Sequence, residues 1–209
     1  MILREYKNPP KFLSLFSGCG GLDHGFTRAG YECLGAFDID RVALDVLSKN
    51  SKTKTYQCDL STGELPIKFL PQIDVVLAGS PCQGFSTLGK RKYDDPRNQL
   101  LLVGGKIAIK HNSAIFIAEN VPGVLSGKHK KYWDELHHLL RESGYKTRDI
   151  KCIGTQMGLA QQRSRIFLVA WKLPKKLDGS ISPVPSRMSI SVENFPPVSV
   201  QKFPHDLAG

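Results

Sequence analysis

Cys82 stands in the segment Gly79-Ser80-Pro81-Cys82-Gln83-Gly84-Phe85-Ser86, directly after the apolar run Ile73-Asp74-Val75-Val76-Leu77-Ala78. That run is short and rich in β-branched residues, which predicts a buried strand. Gly79 and Pro81 stop it. The cysteine is therefore expected in a loop beyond the carboxyl end of a strand, where open α/β sheets bind their ligands. A free cysteine usually packs as a small hydrophobe. A loop of Gly, Pro, Gln, Gly and Ser is a poor place to hide one. It suits a presented thiol whose surroundings lower its pKa, since the thiolate is the nucleophile.

Two further groups share that placement. The run Ala114-Ile115-Phe116-Ile117-Ala118 predicts a strand, and Glu119-Asn120-Val121-Pro122-Gly123 lies just past its end. Arg163 and Arg165 alternate in Gln161-Gln162-Arg163-Ser164-Arg165 at the entry to another strand, so they point the same way. A structural ion pair for Glu119 and surface phosphate contacts for the arginines are the plainer readings.

A glycine turn forms a separate corner. Ser17-Gly18-Cys19-Gly20-Gly21 follows the strand Phe12–Phe16 and opens a helix over Leu22–Ala29. A strand, a glycine turn and a helix start in that order let a ligand approach the backbone closely. No Gly-Lys-Ser/Thr follows, so the turn is not a phosphate loop. Asp38-Ile39-Asp40 ends the next strand, about 20 positions on, where an acid can accept from ribose hydroxyls. Capping the following helix is equally good chemistry for aspartate, and two aspartates are available for the two tasks.

The elements that must position these groups alternate strand and helix. Strands are expected at Tyr31–Phe37, Lys54–Gln57, Tyr145–Ile153 and Arg165–Trp171 besides those above. Helices are expected at Arg41–Asn50, Asn98–Lys110 and Lys130–Ser143, the last with Trp133, Leu136, Leu139 and Leu140 on its apolar side. Such alternation implies an α/β fold with a doubly wound, mostly parallel, Rossmann-like sheet over residues 1–171. From 172 to 209 the character changes: six of the 13 prolines fall there, which reads as a linker or the start of an incomplete further region.

Hydrophobic residues make up 41% and charged residues 23%, ordinary for a soluble domain, and 209 residues suffice for one real core. The net charge of +10 favours a polyanionic partner. Cys19, Cys33, Cys58, Cys82 and Cys152 are odd in number and form no Cys-x-x-Cys, against a disulfide framework or zinc site and in keeping with a reducing cytoplasm. No signal peptide or membrane-length apolar run is present.

In their order and spacing from about residue 11 to 171, these motifs resemble the DNA cytosine-5 methyltransferases: Phe16-Ser17-Gly18-Cys19-Gly20-Gly21, Asp38-Ile39-Asp40, Asp59-Leu60, Pro81-Cys82-Gln83, Glu119-Asn120-Val121 and Gln161-Gln162-Arg163-Ser164-Arg165. The resemblance implies methyl transfer from S-adenosylmethionine to C5 of cytosine in double-stranded DNA, with the base flipped from the helix. It implies that Cys82 adds to C6, that Glu119 serves N3, that Arg165 contacts O2 and that Arg163 positions the loop or base. Phe16 would lie against the adenine, Asp38 would bind the ribose and Asp59 the adenine amino group. Gly18, Cys19, Gly20 and Gly21 would frame that pocket, with Ile39, Leu60, Pro81 and Leu100 as apolar walls. Gln83, Ser86 and the mixed-charge segment with Lys90, Arg91 and Arg97 would face DNA. The family's target-recognition region and two last motifs are not in the sequence, so a second polypeptide supplying them is an expectation, as is a place in a restriction–modification system. An RNA cytosine-5 methyltransferase and an inactive nucleic-acid-binding remnant are the rival readings.

Overall fold

Short apolar strands separated by amphipathic helices can bury their backbones only in a sheet with covered faces. The computed structural model of the protein, which describes residues 9–67, 73–81 and 99–172, has that arrangement. Cys82, Gln83, Ser86, Lys90, Arg91 and Arg97, and the proline-rich stretch from 173, lie outside the described residues. In chain order the elements are β1 (Lys11–Leu15), α1 (Gly21–Arg28), β2 (Glu32–Asp38), α2 (Arg41–Asn50), β3 (Thr55–Gln57) and β4 (Val75–Ala78). They continue with α3 (Leu100–Lys110), β5 (Ile115–Asn120), α4 (Lys130–Glu142), β6 (Lys146–Ile153) and β7 (Ser164–Trp171).

The strands form one sheet in the order β3-β2-β1-β4-β5-β7-β6. β1 to β5 are mutually parallel, and β7 runs antiparallel to both β5 and β6. The expected mostly parallel sheet is thus present with one reversed strand. The reason is the connection: β6 and β7 are joined by residues 154–163 with no crossover helix, and a parallel pair needs a longer crossover.

The main core lies between the sheet and the α3–α4 layer. Leu13, Leu15, Val76, Phe116 and Leu168 alternate onto this face and meet Leu101 and Ile107 of α3 and Trp133, Leu136 and Leu140 of α4, all buried. The apolar stripe of α4 foreseen from its spacing is the one that packs, with Leu139 only half-buried. Gly104 lets α3 lie close on β4, since a Cβ there would stand 2.8 Å from that of Ala78. Trp133 also donates its indole N–H to both carboxylate oxygens of Asp149 at 3.1 Å, tying α4 to the edge strand β6. A smaller cluster of Phe12, Val75 and Leu77 sits on the other face, with Leu22 and Phe26 of α1 packed against it.

One polar group is buried under α1. The Ser14 hydroxyl donates to Asp23 Oδ2 at 2.7 Å, and the Cys33 thiol lies 3.9 Å from Oδ1. Burial pushes the Asp23 carboxyl up from its ordinary 3.8, against the opposing pull of the Ser14 hydrogen bond. A folded-state value above the unfolded one means that this group's stabilising contribution is complete below pH 3.8 and is lost as the pH rises through the folded-state value. Asp23→Asn keeps an acceptor for Ser14 and removes the charge. It should raise the urea midpoint at neutral pH and leave it little changed in acid. A variant less stable at neutral pH would show that the carboxylate charge is itself needed.

Candidate active site

All five parallel strands present their carboxyl ends along one sheet edge, and the reversal of β7 brings its first residues to the same edge. The ladder fixes this: Glu119 pairs with Phe167 and Asn120 with Ile166. Residues from position 16 to position 165 therefore meet along one rim.

At the β1–β2 corner the glycine turn is held by its neighbour strand. Phe16 adopts a left-handed φ of 53° as it leaves β1, and Ser17 N–H donates to the Phe37 carbonyl at 3.1 Å. Gly18 (φ 52°) donates its N–H to Asp38 Oδ2 at 2.7 Å, and Asp40 N–H reaches Asp38 Oδ1 at 2.9 Å. Asp40 in turn accepts from the N–H groups of Val42 and Ala43 and caps α2. Of the two aspartates, Asp40 takes the capping role, and Asp38 pins the turn. Gly20 is required twice over. Its φ is 84°, and a Cβ would collide with Leu47 Cδ1. Cys19 and Gly21 are exposed at the start of α1.

Around this corner, Phe16 is half-buried and Ile39 is 64% exposed, an apolar side chain left beside the pinned aspartate. Asp59 accepts from Ser61 N–H at 2.8 Å, and that backbone bond, aided by the Ser61 hydroxyl, holds its exposed carboxyl below the usual carboxylate range. Leu60 is buried in the main core beneath the rim, while Pro81 and Leu100 are half-buried. Sequence reading assigned no role to Ser17. Its hydroxyl is buried in the turn without a hydrogen-bond partner among the described residues. A hydroxyl residue inside a glycine turn was the available signal.

At the β5–β7 corner, Arg165 Nε stands 2.6 Å from Glu119 Oε1, and Arg165 Nη1 donates to the Ser164 carbonyl at 2.8 Å. Both side chains are about one-fifth exposed, at 22% and 23%. The carboxylate was expected past the end of its strand. It lies inside β5 instead, because pairing with β7 extends the ladder to Asn120. The plain reading of Glu119 as an ion-pair partner is therefore true of the geometry, and the partner is one of the two candidate arginines. Arg163 stays exposed, one residue before β7. Its carbonyl accepts from Gly154 N–H at 2.8 Å, so its backbone closes the base of the β6–β7 connection. Burial raises the thiol pKa of Cys33, to about 12, and raises those of Cys58 and Cys152, so these three are poor nucleophiles. Among the described residues no cluster of His, Cys, Asp and Glu is arranged to hold a metal ion.

The profile of the family described as C-5 cytosine-specific DNA methylase matches residues 10–205. The chain belongs to this family. The chain is 35% identical over 177 residues to the type II methyltransferase M.FnuDI of Fusobacterium nucleatum, across 84% of this chain and 51% of that protein. It is 34% identical over 167 residues to M.NgoPII of Neisseria gonorrhoeae, across 79% of this chain and 49% of that protein. Among solved structures it resembles a protein described as a DNA modification methyltransferase encoded within an E. coli prophage, at 29% identity and a TM-score of 0.65, covering 83% of this chain and 52% of that one. The chain thus spans about half the length of the curated relatives it matches. No described helix is long and apolar enough to cross a membrane.

Proposed function

We propose that the protein carries the catalytic and cofactor-binding part of an enzyme that methylates C5 of cytosine in DNA, within a type II restriction–modification system. The observation that carries this reading is the Glu119–Arg165 pair, set on the same rim as the Asp38-pinned glycine turn in a chain of this family. The pair offers a carboxyl group and a guanidinium side by side, the set needed for N3 and O2 of an extruded cytosine. The four turn residues and Asp38, Asp59 and Ser17 fit a ligand with ribose hydroxyls, an amino group and a polar tail.

In this mechanism the Cys82 thiolate adds to C6 of the flipped base, forming a C–S bond and moving the ring electrons toward N3. Glu119 holds a proton at N3 as that charge develops, and Arg165 stabilises O2. S-adenosylmethionine, when bound, supplies the activated methyl group that the electron-rich C5 takes. The C5 proton then leaves to solvent as the C6–sulfur bond breaks, which restores the ring double bond and frees the Cys82 thiolate. Gln83, Ser86, Lys90, Arg91 and Arg97 are proposed to face the phosphate backbone or the displaced strand, and Arg163 to steady the base. The net charge of +10 supports DNA binding that falls steeply with salt. The DNA-reading surface is assigned to the part of the relatives' length that these residues do not span, supplied by further chain or by a second polypeptide.

The test joins product and cofactor. The protein, with or without a polypeptide carrying the remaining motifs, should transfer labelled methyl from S-adenosylmethionine to cytosine in duplex DNA. Asp38→Ala should weaken S-adenosylmethionine binding by ~1–3 kcal/mol, the scale of hydrogen bonds to a charged group, measured by calorimetry on the folded variant. Unchanged affinity would reduce Asp38 to a brace for Gly18. Label found on adenine or on RNA alone would overturn the assignment.

A further inference from the structure

Ser80 and Asn120 form a buried clasp that the proposed chemistry has not used. Ser80, two residues past the end of β4, is 4% exposed; Asn120, the last residue of β5, is 1% exposed. Asn120 Nδ2 donates to the Ser80 carbonyl at 3.3 Å, and Asn120 Oδ1 accepts from Val121 N–H at 2.9 Å. The Ser80 hydroxyl donates to the carbonyl of Leu100, the first residue of α3, at 3.4 Å. Just before it, Gly79 N–H donates to the Leu15 carbonyl at 3.0 Å. A Cβ on Gly79 would sit 3.0 Å from the Phe16 carbonyl, so the chain passes the cofactor turn with no space for a side chain.

Burying an amide and a hydroxyl beside a core of mostly aliphatic and aromatic side chains costs desolvation, and each such bond returns only a modest net stabilisation. What the bonds supply that leucine cannot is direction. They fix the exit of β4 against the end of β5 and the start of α3 at one residue. Alternation along β5 sends Asn120 to the α3 face and Glu119 to the other. Adjacent residues thus hold the neighbouring strand exit and the guanidinium.

We propose that Ser80 and Asn120 are positioning residues: together they set where the chain leaves β4 for Pro81 and Cys82, relative to Glu119. The proposal rests on the reading of Cys82 and Glu119 as the reacting pair. Its test does not need turnover. Iodoacetamide alkylation of Cys82 in the full chain, followed peptide by peptide in mass spectra across pH, reports the thiol's surroundings without DNA or cofactor. Ser80→Ala and Asn120→Leu are each expected to change the rate at fixed pH by at least about fivefold, within the hundredfold that a 1 Å misplacement can cost. Ser80→Thr, which keeps the hydroxyl, should restore it to within about twofold. S-adenosylmethionine affinity should stay unchanged in Ser80→Ala, separating a local shift from general loosening. Should Asn120→Leu fail to fold, Ser80→Ala carries the test, since it removes one oxygen. Alkylation within about twofold of the unsubstituted protein in every folded variant overturns the clasp. Failure of the underlying reading appears elsewhere, as a covalent DNA adduct that does not depend on Cys82.

Discussion

Cys82→Ser is expected to abolish the covalent complex that the protein forms with DNA carrying 5-fluorocytosine at the target base. Fluorine at C5 cannot leave as a proton does, so the C6–sulfur bond made in the first step persists and the complex survives denaturing electrophoresis. The assay uses the active assembly with S-adenosylmethionine. A serine hydroxyl at this position lacks the acidity of a thiol, so the trapped fraction should fall to background. An adduct of undiminished yield in Cys82→Ser would remove this residue from the chemistry. Three of the other four cysteines, Cys33, Cys58 and Cys152, give little shelter to the alternative, since burial raises their thiol pKa; a Cys19→Ser control covers the exposed fourth.

The second large effect is expected at the ion pair. Glu119→Gln keeps the size and loses the proton that must reach N3, and single-turnover methylation should slow by roughly 10²-fold or more. Arg165→Ala removes the guanidinium that would meet O2 and leaves Glu119 without its 2.6 Å partner, with a fall of roughly 10²–10³-fold in the same measurement. Arg165→Lys restores the charge without the planar fork and should recover only part of the loss. Full activity in Arg165→Ala would make the pair a structural link between β5 and β7, and the base pocket would have to be sought elsewhere.

Much of this arrangement could be read from residue order because the local signals agree with the fold. The β-branched runs at Val75–Ala78 and Ile115–Ala118 are strands, and α2 spans Arg41–Asn50 as its pattern and the Asp40 cap require. What the pattern missed is set by partners far along the chain. Glu119 and Asn120 carry no strand signal of their own and become strand only because β7 pairs with them. The reversal of β7 follows from a short connection, which periodicity does not report. Asp38 and Asp40 could not be told apart from their types, since both roles ask for an acid. The cap is identified by Asp40 accepting from Val42 and Ala43 N–H, while Asp38 accepts from Gly18 N–H. Ser80 and Asn120 looked like filler inside two motifs, because a buried hydrogen bond between residues 40 apart leaves no local trace.

The place of β7 inside the sheet has a consequence for how the molecule is made. It is the last described strand to be synthesised, yet it lies between β5 and β6. The 51 residues from Val121 to Trp171 take roughly 3–10 s to emerge at ordinary synthesis rates. Through that interval β5 presents an open edge, and β6, made before β7, is free to pair with it in the wrong register. Glu119 meanwhile has no guanidinium beside it. The glycine-turn corner, built from residues 16 to 59, precedes the Glu119–Arg165 corner on the ribosome. The hydrogen bonds that pin the glycine turn can thus form on the ribosome before the Glu119–Arg165 pair can.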